Sequence, residues 1–594
     1  MAVCALVVLP MCSSGEGSGG AGPLTLERIE VSPQDASVTT GAERTSIRFS
    51  AKAYWSTGDV TDDPPVTWSG SNRTAGTIDE DGLFTPSADN GGITLISARY
   101  LGVTGSATLT VVFKQDILDE GVPETVPAAF DALSSSIDES RAPIILYPYN
   151  ETVVPRNIEE LEILWTSDET DPEALTVLVV ESETTLTRYF TMDDRWVPTQ
   201  AQWQTLAATN SGGTLTILPY RVEATSDEEG MRLNGPAFRP SAPTELTISR
   251  LDAEGAVYYW SISAEGIYRI PYDGTGASLF YPSEGTEGAE CVSCHTLSPT
   301  GRRLAVVYEG DPKILGMLEL HEDGGTPDVL VSKAEGVPSS RATFSPDDRY
   351  LLGVESGQLY LYDGQTLDLI AKPDLGFDRV ANPAFSPDGS QLVFVVPSEF
   401  RDDTSFYGGR LAIVPFYDGV FGVPEWLTER VDGMNQYYPA WSPDGDWIVF
   451  NMSTEDPDDD SEGDSLMDLS AAVYVIAAEG GVPIRLDRLN DVSPFYLGPE
   501  ADDPSVPLGD MTDPAKVANS WPGWAPLPDA DLLWLSFSSL RGYGDRVEYG
   551  VAQIWISAFD PSLAAAGIDP SSPPFWLPRQ GYETTNHIPQ WGPY

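Results

Sequence analysis

The most regular pattern in the chain is a short strand ending in Ser-Pro, a polar turn, and a run of four or five apolar residues. It stands at 342–354 (ATFSPDDRYLLGV), 383–395 (PAFSPDGSQLVFV) and 439–451 (PAWSPDGDWIVFN), which align without gaps. LSPTGRRLAVVY (297–308) is a fourth copy, GWAPLPDADLLWLSFSS (523–539) a degenerate fifth, and IPQWGPY (588–594) half of a sixth. Each predicts strand, turn, strand, with a further strand (GQLYLYD, RLAIVPF, AAVYVIA) completing a small sheet. One such sheet cannot bury both of its faces. Copies spaced 41 to 83 residues apart, measured between the recurring prolines, therefore predict blades stacked around an axis. AVYYWSIS and GIYRIPYDG, within 256–274, lack a leading Ser-Pro strand that HIPQWGPY can supply. That predicts six blades closed by the last strand, or seven if residues 487–520 hold another.

The N-terminal part alternates differently. Residues 24–113 read as strands of a sandwich, with Trp68 as core anchor, Asp81-Gly82 as a hairpin turn and Gly105 as the turn before the last strand. Residues 114–139, acidic and Pro-containing, read as a linker. Residues 140–250 return to β patterning, with a strand ending near Trp165 and a closing strand at 244–251 (TELTISRL). The expected fold class is all-β: two sandwiches followed by a β-propeller over 251–594.

Composition agrees and adds exclusions. Gly (54) and Pro (49) are abundant, as turns require, and the aromatic content argues against disorder. With 90 acidic and 33 basic residues the net charge is −57, which repels phosphate backbones and excludes nucleic acid as a partner. The four cysteines, Cys4, Cys12, Cys291 and Cys294, are too few for a disulfide framework. Residues 1–23 pair a short apolar run with a Ser/Gly tether, the pattern of an export signal. The lack of Lys or Arg before that run suggests a start further upstream.

Four resemblances follow. Cys12 resembles the acylated cysteine of a bacterial lipoprotein, although Pro10 and Met11 replace the usual small residues; membrane contact would then be through a lipid anchor only, and the location periplasmic or at the cell surface. Residues 24–113, on VTWSGSNRTAGTIDEDGLFTP and ITLISARYLGVTGSATLTVVF, resemble a bacterial immunoglobulin-like domain of the intimin and invasin type. Residues 140–250 resemble a fibronectin type III-like sandwich. Both modules are expected to act as stalks. Residues 251–594 resemble the TolB-like propeller through their four Ser-Pro copies, and also exported bacterial propellers that carry C-x-x-C-H-x-x-S-x-x-G on a strand.

That last motif carries the chemistry. Cys291, Cys294 and His295 spell C-x-x-C-H, a sequence that arises by chance in such a composition at about the 10⁻⁴ level. Two thiols at this spacing each reach one vinyl group of a porphyrin, and the adjacent histidine sits under the iron, so the motif predicts covalent haem c. A Cys291–Cys294 disulfide would leave His295 unexplained, and zinc would want about four ligands where no second cluster exists. Aligning Ser298 with Ser442 puts His295 at the start of an innermost strand, beside the channel mouth. His587 is the expected distal iron ligand, or else a hydrogen-bonding residue; Met434 is the runner-up ligand and His321 a surface residue.

Asp456, Asp458 and Asp460 have the opening spacing of a calcium loop, which then fails at Ser461 and Met467, so calcium is a secondary cofactor expectation. Arg541 and Tyr543 are candidates for the channel or for blade packing. No nucleophile–base set stands out. The expected function is a haem-binding, electron-transfer or small-ligand-binding propeller with a redox partner. The alternative is a non-enzymatic scaffold that grips a cell-envelope protein or polysaccharide.

Overall fold

The structure, a computed structural model, describes residues 24–158, 161–166, 174–227, 230–272, 276–283, 292–310, 312–454, 468–491, 518–526 and 531–594. The chain divides after Lys114 into two compact units. Among the described residues no helix is long and apolar enough to cross a membrane.

The first unit is all-β and closes its own core. Alternation puts Val31, Phe49, Phe84, Ile96, Leu109 and Val111 on inward faces, all nearly inaccessible to solvent. Trp68 packs at the edge of that core, half-buried, rather than at its centre. Asp81-Gly82 does sit in the turn joining Gly76–Ile78 to Leu83–Pro86: the Asp79 carboxylate accepts from the N–H of Asp81 and Leu83, and Gly82 takes φ +76. Gly105, expected as a turn, lies inside the long strand Val103–Leu118, paired with Ala98. The turn is Leu101-Gly102, a two-residue hairpin with φ +46 and +87. Gly105 serves close approach instead, since a Cβ there would lie 2.1 Å from the Ile29 carbonyl oxygen.

The second unit begins with the segment expected to be a linker, and that segment is folded. It carries the helix Val126–Asp131 and the strand Ser135–Ile137, which pairs in parallel with Ala237–Arg239. Its acidic composition conceals an apolar face. Val122 and Val126 are buried, and Phe130 and Leu133 pack with them against Val177, Phe190 and Val222. Arg188 ties the segment down, 2.6 Å from Asp116 and also paired with Asp131. The strands Leu175–Glu181, Thr185–Thr191, Thr214–Asp227 and Gly230–Arg239 form the main sheet, and Thr244–Ile248 pairs with the start of Thr214–Asp227 in the register Leu215↔Leu246.

This module shares one hydrophobic core with the propeller. Tyr149 stacks on Trp555 at 5.8 Å, and Tyr147 meets Tyr543 edge-on at 4.7 Å. Glu162, almost fully buried, accepts from Tyr582 Oη at 2.9 Å and Tyr543 Oη at 3.3 Å and pairs with Arg546. A surface that buries aromatic rings and a carboxylate in this way is the inside of a fold, and the stalk expectation does not describe it.

Among the described residues, 251–594 form six antiparallel blade sheets and one small two-stranded sheet, Glu399–Phe400 with Phe406–Tyr407. Blade 1 combines Ala256–Ser261, Gly266–Pro271 and Ser278–Pro282 with the last strand, Asn586–Gly592. Blades 2 to 6 begin with innermost strands Val292–Leu297, Arg341–Phe344, Ala381–Phe385, Met434–Trp441 and Ser520–Trp524. Each innermost strand contacts the next, and Ser520–Trp524 contacts Asn586–Gly592, so the ring is closed. The closing pair is antiparallel, with Val257 opposite Trp591. The insertion at 487–520, considered for a further blade, lies mostly outside the described residues; its start is a short helix, Asp487–Asn490.

The repeat explains its own residues. In blade 4 the Ser386 hydroxyl accepts from the Gln391 N–H at 3.0 Å and donates to Asp388 at 2.7 Å, and Gly389 takes φ +71. Ser442, Asp444 and Gly445 do the same in blade 5. Serine thus caps the returning strand, aspartate orders the serine, and glycine supplies the left-handed residue. Blade 3 has Asp348 at the glycine position, with φ +57 and its carboxylate bound to Thr300 of blade 2.

Candidate functional site

A second repeat lies four residues before each of those serines, or before Ala525 and Gly592, which replace the serine in blades 6 and 1. The positions are Cys294, Arg341, Asn382, Tyr438, Trp521 and Ile588 in blades 2, 3, 4, 5, 6 and 1. In four of them the residue has positive φ, between +44 and +53, and the next residue is proline: Pro383, Pro439, Pro522 and Pro589. The strand register slips there in every one of these four blades. This is a β-bulge, and proline suits it because the bulged residue has no ladder acceptor for an N–H. Positive φ at a bulky residue such as Tyr438 or Trp521 costs on the order of 1 kcal/mol, and its recurrence marks the ring as the place where the fold tolerates strain. Blade 2 slips too, between Val292 and His295, so Cys294 and His295 occupy the same bulge with histidine in place of proline.

The bulges line a channel of about 550 Å³. Cys294, Arg341, Asn382, Tyr438 and Trp521 lie on its wall together with His295, and the Ser-Pro prolines from Pro299 to Pro593 line it further along. Arg341 reaches from blade 3 to the opposite blade. Its guanidinium lies over the Trp521 ring, 4.8 Å from the centroid, and donates to Cys294 Sγ. Trp521 in turn stacks on Tyr438 at 3.9 Å. Arg341, Trp521 and Tyr438 thus form a bar across this end of the channel.

His295 is buried, and its strand is fixed by a neighbour. Gln590 of blade 1 donates to the His295 carbonyl at 2.8 Å and accepts from the Leu297 N–H at 2.5 Å. Cys294 is partly buried and has a free thiol; Cys291 lies outside the described residues. Cys294 and His295 therefore sit on a strand, as the sequence implied, and both are at the channel wall.

His587 is buried between blades 1 and 6. Its Nδ1 accepts from the Ile588 N–H at 2.9 Å and lies 2.6 Å from Ser538 Oγ. A ring nitrogen that accepts a backbone N–H carries no proton, so the proton sits on Nε2, which has no acceptor among the described residues. As placed, Nε2 offers a proton rather than a lone pair, and iron ligation would need the other tautomer. Burial, and then the nearby Arg341 charge, push the imidazole down to about 3, so the ring is neutral.

The other candidates lie elsewhere. His321 is exposed, 3.4 Å from Asp328. Met434 starts the inner strand of blade 5 and packs in the core between blades 4 and 5. Arg541 is fully buried, with Nη2 donating to the Leu489 carbonyl and to Asn519 Oδ1, both at 2.8 Å. Tyr543 stacks on Trp576 at 4.5 Å. Neither is among the channel-lining residues. Asp456, Asp458 and Asp460 of the calcium-like loop, and Cys12, lie outside the described residues. Among the described residues no group of three or more His, Cys, Asp or Glu is placed to hold a metal ion. Arg341 and Trp521 were not singled out by sequence reasoning. The signal was present in their fixed distance from the Ser-Pro turn, and the differing residue types at that position hid it.

No family model and no curated protein matches the chain. Among solved structures it is similar to TolB from Acinetobacter baumannii, at 14% identity and a TM-score of 0.36 over 64% of this chain and 80% of that one. It is also similar to the β-propeller domain of the trilobed protease from Pyrococcus furiosus, at 11% identity and a TM-score of 0.25 over 57% and 78%. A third is oligogalacturonate lyase in complex with manganese, at 14% identity and a TM-score of 0.27 over 55% and 83%. At these scores the likeness carries no functional argument, and the propeller stands on its own sheets.

Proposed function

We propose that the protein is an exported propeller that holds a c-type haem at the bulge end of its channel. The observation that supports this most is the position of Cys294 and His295, both on the wall of a channel of about 550 Å³, a volume in the range of organic-cofactor sites. Cys291 and Cys294 would hold the porphyrin, and His295 would be the axial ligand. The bound group would supply a redox-active iron for electron transfer or for binding a small ligand. The chain's own residues do the rest. Gln590 fixes the backbone on both sides of Thr296, which sets the orientation of His295. The prolines and aromatic rings of the wall would limit water around the group once it is bound. Neutral His587, which is not on the channel wall but whose ring centroid lies 6.4 Å from that of Trp521, would be a hydrogen-bond donor beside the site, or a distal ligand after a tautomer change. Export with a lipid anchor at Cys12 belongs to the same reading, because haem attachment takes place on reduced thiols outside the cytoplasm, and the partner is then a redox protein of the cell envelope.

The test is a pyridine haemochrome spectrum of the full chain made in a host with haem-attachment machinery. A c-type α-band that disappears in Cys291→Ala/Cys294→Ala supports the proposal. Colourless protein from that host overturns it and leaves the scaffold alternative, a propeller that binds an envelope protein or polysaccharide.

A further inference from the structure

The charge of the channel wall runs against the charge of the chain. The protein has 90 acidic and 33 basic residues, yet the described lining contains no Asp, Glu or Lys, and Arg341 is its one guanidinium. The rest of the wall is proline, aromatic, aliphatic and small residues, with a few amide and hydroxyl groups, the Cys294 thiol and the His295 imidazole. Arg341 is only 8% exposed and its guanidinium carbon lies over the Trp521 ring, 4.8 Å from the centroid. A guanidinium so placed has little water to compete with, and its planar fork matches a carboxylate. Its field also reaches His587, helping to keep that ring neutral. A positive point in an apolar channel, inside a strongly negative protein, selects for a molecule with an apolar body and an anionic end.

We propose that the channel binds an apolar, planar molecule through a carboxylate held by Arg341, with the body of the molecule against Trp521 and the proline wall. Two sources share this chemistry: a propionate of the haem, in which case the inference rests on the proposed function, or a free aromatic acid, in which case it does not. Binding draws the Arg341 guanidinium from Cys294 Sγ to the carboxylate, which also frees the sulfur.

The full chain is titrated by calorimetry with 2-naphthoate and with its methyl ester. The Cys291→Ala/Cys294→Ala variant is titrated with hemin and with hemin dimethyl ester, read by Soret absorbance. At least one acid is expected to bind tenfold to a hundredfold more tightly than its ester, the range of about one charge-assisted hydrogen bond. Arg341→Gln should abolish that difference and Arg341→Lys should keep part of it. Discrimination by 2-naphthoate identifies a free acid as source, and discrimination by hemin alone identifies the propionate. If neither acid is favoured over its ester, or if Arg341→Gln still discriminates, the proposal is overturned. The acid–ester comparison on unmutated Arg341 decides the matter even if Arg341→Gln does not fold. Colourless protein in the haemochrome test together with Arg341-dependent 2-naphthoate binding removes the haem and leaves this site; a c-type band without acid–ester discrimination does the reverse.

Discussion

The two N-terminal β modules look alike in sequence and are built on different principles. Residues 24–114 turn their apolar positions inward, and Phe84, Ile96 and Leu109 complete a core with residues of the same module. Residues 115–250 contribute Tyr147, Tyr149, Val154 and Trp165 to a core that also contains Trp534, Trp555 and Trp576 of blade 6. Both patterns alternate, since alternation records only that one face of a strand is covered and not what covers it. The difference lies in what remains for the second module to present. Glu162 and the Tyr543, Trp576 and Tyr582 stack make it a support for one side of the ring.

Three measurements test that contrast, from the largest effect to the smallest. Trp555→Ala removes a fully buried ring between the module and blade 6 and should cost about 3–5 kcal/mol. In calorimetry it should lower the melting of the module and the propeller together. Phe84→Ala should cost a similar amount in the transition of the first module alone. Separate shifts for residues 115–250 and the propeller in Trp555→Ala would break the contrast.

The second measurement uses pH. All three histidines, His295, His321 and His587, lie in the propeller. His587 is held at about 3 in the fold against an ordinary 6.5, so the unfolded chain takes up a proton that the folded chain refuses. Stability from this group is complete above 6.5 and falls as pH drops from 6.5 toward 3, by about 1.4 kcal/mol per pH unit. Denaturant titrations at pH 7, 6 and 5 should therefore give a shallower loss for His587→Gln than for the parent. Equal slopes would mean that the ring is not buried as described, and the first module should show no change between the two proteins. The smallest effect is expected at Gly102, where φ is +87 and an added Cβ meets nothing within 4 Å. Gly102→Ala should cost only about 1 kcal/mol, from backbone strain in the first module's hairpin.

What the sequence disclosed was what short-range chemistry encodes. Ser-Pro-Asp-Gly specifies a capped turn within six residues, so the blades were legible, and the unpaired pattern of AVYYWSIS called for a strand that HIPQWGPY could provide. The location of Cys294 and His295 on an inner strand followed from the alignment of Ser298 with Ser442. The failures have a common cause in non-local packing. The four apolar residues from Val122 to Leu133 were hidden by acidic neighbours, and their partners lie as far off as Val222. Gly105 was read as a turn because close backbone approach to Ile29 leaves no mark in its own neighbourhood. The bar of Arg341, Trp521 and Tyr438 joins blades 3, 6 and 5, and its members share a position and not a residue type.

Ring closure by Asn586–Gly592 against Ala256–Ser261 has a consequence for the order of events during folding. The closing strand carries His587 and Gln590, the second of which grips the backbone on both sides of Thr296. Five intervening blades must therefore exist before the cavity has its full circumference, and contacts of such long sequence separation form slowly. A nascent or clipped chain with complete blades by circular dichroism still lacks a closed channel. Retention of the ligand proposed above would thus report whether the clasp is fastened, a property that secondary-structure content alone does not reveal.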